Sequence, residues 1–102
     1  LPTEGVYEIR QENGYLIVNY KESKRNGETL IYNDQDKPTH KVTYHDDELQ
    51  GPATNYFPEG KIEVTATYKK GLLDGPFISY YPSGMKQCEG NYTQGKLDGD
   101  FI

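Results

Sequence analysis

The densest group of chemically versatile side chains in this sequence is the run His45-Asp46-Asp47-Glu48. An imidazole beside three carboxylates can ligate a metal ion or act as an acid and a base. The positions 24 residues further on hold Lys69-Lys70-Gly71-Leu72, which offer none of that chemistry. The run therefore indicates a solvated loop between structural elements, and we expect no metal and no cofactor.

Two other reactive side chains, His40 and Cys88, share one alternating frame with Val64. This frame predicts a packed or half-buried histidine and a small core cysteine. No neighbouring base or helix would activate the thiol of Cys88. The sequence also lacks the short motifs of serine hydrolases, phosphate-binding loops and zinc enzymes. We therefore expect a protein that is not an enzyme.

The aromatic doublets Tyr56-Phe57 and Tyr80-Tyr81 are the candidate binding residues. Neighbouring residues of a strand point to opposite faces, so one member of each pair is expected in the core and the other outside it. Exposed rings 24 residues apart would form a stripe suited to a protein partner. The alternative is that both faces are buried because the sheet curls on itself.

Composition limits both the core and the partners. The 102 residues are 33% apolar, but they include 10 Tyr and 3 Phe, which predicts a thin core of aromatic rings close to solvent. The formal net charge of −5 argues against nucleic acid and anionic lipid as partners. The basic group Lys21, Lys24 and Arg25 is interpreted as a solvated loop. No apolar run is long enough to span a membrane.

Four columns of residues recur with a period of 24. They are Tyr20, Tyr44, Tyr68 and Tyr92; Gly27, Gly51, Gly75 and Gly99; Tyr32, Tyr56 and Tyr80; and Leu49, Leu73 and Leu97. They predict one repeat domain over residues 1–102, with units at about 5–26, 27–50, 51–74 and 75–98 and the start of another at 99–102. The tyrosine and glycine columns are expected to be structural.

Each unit is expected to form one β-hairpin. The second half alternates strictly, as in Ile62, Val64, Ala66 and Tyr68, and a period of two is typical of a strand with one buried face. Because hairpin follows hairpin without a helical segment, the predicted fold is all-β, an elongated antiparallel meander of stacked hairpins. The edge strands of such a sheet invite pairing into a homodimer.

The predicted hairpin turns contain Pro58-Glu59-Gly60 and Pro82-Ser83-Gly84. Asn13-Gly14 gives the same signal in the first unit, whereas Asp36 stands where the other units have glycine, so the turn at 33–38 is expected to be built differently. Longer loops at 70–75 and 94–99 are expected to join the units, with the leucine column folded back beneath them.

The segments Gly75–Gly84, Gly90–Tyr92 and Gly95–Phe101 resemble the MORN repeat, and more closely its bacterial variant. The resemblance covers residues 27–102 well and 5–26 loosely. It implies an elongated curved sheet, structural roles for the recurrent Gly and Tyr positions, no catalytic motif and a binding function. Some bacterial proteins of this type are antitoxin or immunity partners of toxins.

The leading hypothesis is therefore a non-enzymatic protein-binding or scaffolding module, of which an antitoxin or immunity factor is one form. The alternatives are a structural or cell-surface segment of a longer chain and a membrane-surface module. The partner is expected to be a protein of unknown identity. Because the sequence begins with Leu1 and not Met, we expect an excised or processed chain, so the compartment stays open between bacterial cytoplasm and cell envelope.

Overall fold

The computed structural model describes residues 4–102 as a succession of β-strands. Leu1, on which the expectation of a processed chain rests, lies outside these residues. The strands are β1 (Glu4–Gln11), β2 (Gly14–Lys21), β3 (Lys24–Asn33), β4 (Pro38–His45), β5 (Glu48–Leu49), β6 (Gly51–Tyr56), β7 (Ile62–Lys69), β8 (Leu72–Tyr80), β9 (Lys86–Thr93) and β10 (Lys96–Asp98).

All ten strands belong to a single antiparallel sheet whose spatial order follows the chain. The order is β1-β2-β3-β4-β6-β7-β8-β9-β10, and the short β5 pairs with β4. Nine strands side by side at about 4.8 Å would measure about 38 Å across, close to the longest dimension of the molecule, 43 Å. The sheet is therefore open and elongated, and the predicted meander of hairpins is confirmed.

The loops inside the last three hairpins share one backbone geometry. Gly60 donates its N–H to the carbonyl of Phe57 at 2.8 Å, and the N–H of Phe57 is bonded to the carbonyl of Lys61 at 2.7 Å. This is the three-residue hairpin loop, a type I turn followed by a left-handed residue. Proline suits its second position because the ring fixes a suitable φ.

The prediction that the loop at 33–38 is built differently is wrong. Asp36 donates its N–H to Asn33 at 3.1 Å, and Asn33 donates its own to Lys37 at 2.9 Å, as in the other two loops. Asp36 adopts a positive φ of 62°, which aspartate tolerates better than most residues. The side-chain oxygen of Asn33 also accepts from the N–H groups of Gln35 and Lys37.

Long loops between the units were also a wrong prediction. The connections are two-residue turns with both residues at positive φ, as in Lys70-Gly71 (53° and 81°), which defines the type I′ turn. The leucine column therefore lies within strands and not beneath loops. Leu73 lies directly opposite Tyr68, and its carbonyl accepts from the N–H of Gly95 in the next turn at 2.7 Å.

The glycine and tyrosine columns are partners across each hairpin. Gly51 lies opposite Tyr68, and Gly75 lies opposite Tyr92. Gly75 has a φ of 122°, and a Cβ there would stand 3.3 Å from the Cβ of Thr67. A side chain would be strained and crowded at this position, so the predicted structural role of both columns has a direct physical basis.

The core is thin, as predicted, but small side chains and not rings form its most buried part. The buried residues are Val18, Thr29, Ala53 and Ala66, at 2%, 4%, 8% and 7% exposure. The tyrosines of the main column are half-buried beside them. A single-layer sheet explains this, because no second layer lies over the rings while small residues between the rings are shielded.

Candidate binding face

The pairing register assigns the side chains of the sheet to two faces with different chemistry. Residues directly opposite each other on neighbouring strands share a face, and successive residues of a strand alternate between faces. We call the face that carries the tyrosine column the aromatic face. Its outer row contains Tyr20, Arg25, Tyr44, Leu49, Tyr68, Leu73, Tyr92 and Leu97, with the column glycines between them.

The central row of the aromatic face holds all four of the most buried residues. It contains Tyr7, Val18, Thr29, Val42, Ala53, Ala66, Phe77 and Gly90. Rings cluster at its two ends: Tyr7 packs edge-to-face on Tyr20 at 5.9 Å, and Phe77 packs on Tyr92 at 5.8 Å. Phe101 joins the second cluster and lies against Gly90, where a Cβ would stand 3.0 Å from its ring.

The third row of the aromatic face crosses the sheet from β1 to β9. Its residues are aliphatic on β1 to β3 and mostly polar from β4 onward. It contains Ile9, Leu16, Ile31, His40, Asn55, Val64, Ser79 and Cys88. The Ser79 hydroxyl and the Cys88 thiol are 2.9 Å apart. His40 lies in the frame predicted for it, but it is exposed, so the prediction of a packed or half-buried histidine is wrong. His40 is exposed because, within residues 4–102, no second layer of structure covers its row.

Apart from His40, Arg25 is the one acidic or basic side chain in these three rows, and its contacts hold it in place. It occupies the outer-row position that leucine takes in later units, opposite Tyr20. Its guanidinium lies 4.2 Å from the ring centre of Tyr44, and its Nε donates to Asp47 Oδ1 at 3.0 Å. The earlier interpretation of Arg25 as part of a solvated loop is wrong, because it lies in β3 between two rings.

Asp47 is the acid that Arg25 holds. The N–H of Arg25 donates to its carboxylate at 2.7 Å, and this bond, followed by the one from the guanidinium, lowers the pKa of Asp47. The His45–Glu48 run is therefore a tight turn with a structural ion pair. Within residues 4–102, no cluster of three or more His, Cys, Asp or Glu residues could hold a metal ion.

The opposite face, which we call the polar face, mixes charged and hydroxyl side chains with aliphatic ones. Its central row contains Glu8, Ile17, Leu30, Lys41, Thr54, Thr65, Ile78 and Glu89. Tyr15 and Tyr32 stack on this face at 4.9 Å. The Tyr15 hydroxyl donates to Asp36 Oδ1 at 2.8 Å, which raises the pKa of Tyr15.

The four predicted binding residues divide between two settings. Tyr56 and Tyr80 end strands β6 and β8 and alternate onto the polar face, where both are half-buried. Phe57 and Tyr81 begin the hairpin loops, and Tyr81 is 48% exposed whereas Phe57 is half-buried. Tyr56 and Tyr80 therefore share one face, while Phe57 and Tyr81 lie at the loop end of their hairpins. The aromatic face, marked by the alternation of the second strand of each unit, carries the tyrosine column and the most buried row.

The sheet has grooves at its rim and another lined by strand residues such as Pro76, Gly90 and Asn91. Grooves of about 360 and 520 Å³ separate successive tight turns and are lined by side chains such as Lys70, Asp74 and Glu48. The two residues with shifted pKa values, Tyr15 and Asp47, line neither groove. Within residues 4–102, no helix is long and apolar enough to cross a membrane.

The fold is thus an open single sheet of stacked hairpins. The model of the MORN repeat variant family matches the chain twice, at residues 49–70 and 73–94. Each matched segment starts at a column leucine and ends at the first residue of a tight turn. Both segments are therefore similar to that repeat. No curated protein is similar enough to count as a match.

Proposed function

We propose that this chain is a non-enzymatic protein-binding module and that its aromatic face receives the partner. One observation carries the proposal. Within residues 4–102 the sheet has a single layer, so the three rows of the aromatic face have no second layer over them. The column tyrosines and their neighbouring leucines stay partly exposed beside the buried central row. Contiguous exposed apolar side chains commonly mark an interaction site.

The composition of the aromatic face favours a protein partner over a membrane. Its rings lie side by side in rigid strands, and tyrosine combines a large apolar area with a hydroxyl that can bond to a partner. Apart from the exposed His40, Arg25 is the one basic group in its three rows, and it is already paired with Asp47. Anionic lipid headgroups would find little cationic charge on this face, and the chain carries a net charge of −5.

An antitoxin or immunity role is the finer form of this proposal. An acidic chain attracts a basic partner over distance and so speeds their association. A basic toxin would suit such a surface. The aromatic face would form the contact, and the acidic residues of the turns would attract the toxin toward it. The association rate should then fall as salt is added, and a toxin gene beside this gene would support the same role.

The decisive experiment uses two neighbouring residues of β6 that lie on opposite faces. Asn55 belongs to the aromatic face and Thr54 to the polar face, and both are half-buried and polar. Asn55→Glu places a charge on the proposed contact surface, whereas Thr54→Glu places the same charge on the other face. We expect Asn55→Glu to weaken partner binding at least about tenfold and Thr54→Glu to leave it nearly unchanged.

The partner is first captured from cell extract on the immobilised wild-type chain, identified by mass spectrometry and purified for calorimetry. Circular dichroism and thermal unfolding establish that both variants remain folded. Equal binding by the two variants, or equal loss, would contradict the assignment to the aromatic face. Co-sedimentation with vesicles of phosphatidylglycerol and phosphatidylcholine, without any captured protein, would replace the proposal by a membrane-surface function.

A further inference from the structure

Strand β1 presents an open edge of the sheet. Within residues 4–102 it has β2 on one side and no strand on the other. Its eight pairs with β2 run without a register shift, whereas β2–β3 and β3–β4 each contain a bulge. Val6 and Tyr7 are exposed at 63% and 39%. Proteins commonly protect such edges with bulges, proline or charged side chains. β1 has no proline and no register shift, and its charged residues are Glu4, Glu8 and Arg10.

The hydrogen-bonding groups on this edge can be assigned from the hairpin geometry. Gln11 and Gly14 flank the two-residue turn and form its closing pair. In an antiparallel ladder the bonded residues alternate, so every second residue of β1 directs its N–H and C=O toward β2. The others direct theirs to the open edge, and these are Glu4, Val6, Glu8 and Arg10.

We propose that two copies of this chain pair through β1, antiparallel, about a two-fold axis normal to the sheet. The direction of the strands favours this symmetry. Neighbours along the sheet alternate in direction, so β1 and β10 at its two edges run the same way. Joining β10 of one copy to β1 of the next would create a parallel pair in an antiparallel sheet, whereas a two-fold axis keeps every pair antiparallel.

The charges along β1 select one register. Centring the pair on Tyr7 places Glu4 opposite Arg10 of the second copy, twice, and Val6 opposite Glu8. Centring it on Val6 would place Glu4 opposite Glu8, and centring it on Glu8 would place two glutamates face to face. Like charges directly opposite each other destabilise a sheet, whereas opposite charges stabilise it.

The Tyr7-centred pair also extends the aromatic face. An axis normal to the sheet keeps the aromatic faces of the two copies on the same side. Tyr7 of one copy then lies opposite Tyr7 of the other, and the two central rows become one row across the dimer. The pairing needs only the isolated chain, so its test is independent of any partner on the aromatic face.

Sedimentation equilibrium of the purified chain over a wide concentration range tests the pairing. We expect the mean mass to rise with concentration from one chain toward two. Val6→Pro should keep the mass at one chain, because it removes an N–H that the dimer uses and the monomer leaves free. Thermal unfolding of dilute Val6→Pro should match wild type, and Glu63→Arg on the interior strand β7 should dimerise normally.

Two charge reversals test the register itself. Glu4→Arg and Arg10→Glu should each weaken self-association about tenfold or more, because each sets like charges opposite each other. An equal mixture of the two variants should dimerise again, since every facing pair is then complementary. A wild-type mass of one chain at all concentrations, a Val6→Pro variant that still dimerises, or a mixture that stays monomeric would each overturn the proposal.

Discussion

At two left-handed turn positions, the chain up to Gln50 has an aspartate where the chain from Gly51 onward has glycine. In the hairpin loops, Asp36 adopts a φ of 62°, and Gly60 and Gly84 adopt 99° and 94°. In the tight turns, Asp47 adopts 69° where its counterpart Gly71 adopts 81°. The two halves therefore reach one backbone with different residues.

The acidic residues do something that glycine cannot. Asp36 accepts a hydrogen bond from the hydroxyl of Tyr15, and Asp47 accepts from the backbone and side chain of Arg25. In both cases the donor belongs to the preceding unit. The left-handed backbone conformation is less favourable for aspartate than for glycine, but each aspartate side chain accepts hydrogen bonds from the preceding unit. We call these two contacts, Asp36 with Tyr15 and Asp47 with Arg25, clamps. The two segments that match the family model lie at 49–70 and 73–94, and each contains a loop glycine.

A repeat position can therefore keep its backbone conformation when its characteristic glycine is replaced by another residue. The cost of a side chain at positive φ is then offset by a contact between units, which also fixes their relative placement. Glycine gives the same turn without any such contact. The first two units should therefore be more sensitive to side-chain changes, and the later ones to changes of glycine.

The largest expected effect concerns Gly14. In sequence, Asn13-Gly14 looks like the turn glycines of the later hairpins, but in the structure Gly14 begins strand β2. A Cβ on Gly14 would stand 2.0 Å from the carbonyl oxygen of Tyr32, whereas a Cβ on Gly60 would meet nothing within 4 Å. Gly14→Ala should lower the free energy of unfolding by about 3 kcal/mol because the strands must separate. Gly60→Ala should cost about 1 kcal/mol through its positive φ alone.

Urea denaturation of both variants measures this difference. A similar loss in the two would mean that the approach of β2 to β3 at Gly14 is not as close as described. The Asn13-Gly14 pair would then act as an ordinary turn signal, as the sequence suggested, and the first unit would not differ from the later ones in this respect.

The next effect concerns Asn33, whose side chain supports the loop that lacks glycine. Its Oδ1 accepts from the N–H groups of Gln35 and Lys37 at 2.8 and 3.1 Å. Asn33→Ala removes both bonds and should lower the free energy of unfolding by about 1 kcal/mol, measured by thermal unfolding. Adding Asp36→Gly should recover part of this loss. No recovery would indicate that the loop does not depend on the residue at position 36.

The repeat and its hairpins could be predicted because they rest on local patterns. Strict alternation gives strands, and the Pro-x-Gly turns give three-residue loops. The facing of Gly51 and Tyr68 follows only from the register, which the loop and its bulge set together. The clamps of Asp36 and Asp47 could not be predicted, because each joins residues 21 or 22 positions apart, and no single-residue pattern specifies such a contact.

The aromatic face was predictable in part for the same reason. The alternation of Val64, Ala66 and Tyr68 assigns these side chains to one face of one strand. The extent of the face depends on how all the strands align, and the exposure of His40 depends on the lack of a second layer over its row. The doublets are conspicuous in the sequence because two rings are adjacent in each. In the structure the two rings of a doublet lie apart, since Tyr56 and Tyr80 end strands and the following ring begins a loop.

A smaller and opposite effect is expected at Ser23, which adopts a φ of 66° in the first tight turn. The second tight turn has Asp47 at this position and clamps it to Arg25, but no side-chain bond of Ser23 takes that role within residues 4–102. Ser23→Gly should therefore raise the free energy of unfolding by about 0.5 kcal/mol, measured by thermal unfolding. Asp47→Gly should gain less, because it loses the clamp. Equal gains would argue that the clamp contributes nothing.

The smallest effect is the pH dependence of the Asp47 clamp, because the pair with Arg25 is open to water. The hydrogen bonds from the Arg25 backbone and guanidinium lower the pKa of Asp47 in the folded protein. Its contribution is therefore complete above the pKa of an unfolded aspartate and is lost as the pH falls through the lower folded value. Asp47→Asn keeps an oxygen at the same place and accepts left-handed geometry, but it cannot titrate. Unfolding measured across the acid range should show wild type losing its advantage over Asp47→Asn as the pH falls, while a difference that stays constant would mean that the clamp does not depend on the charge of Asp47.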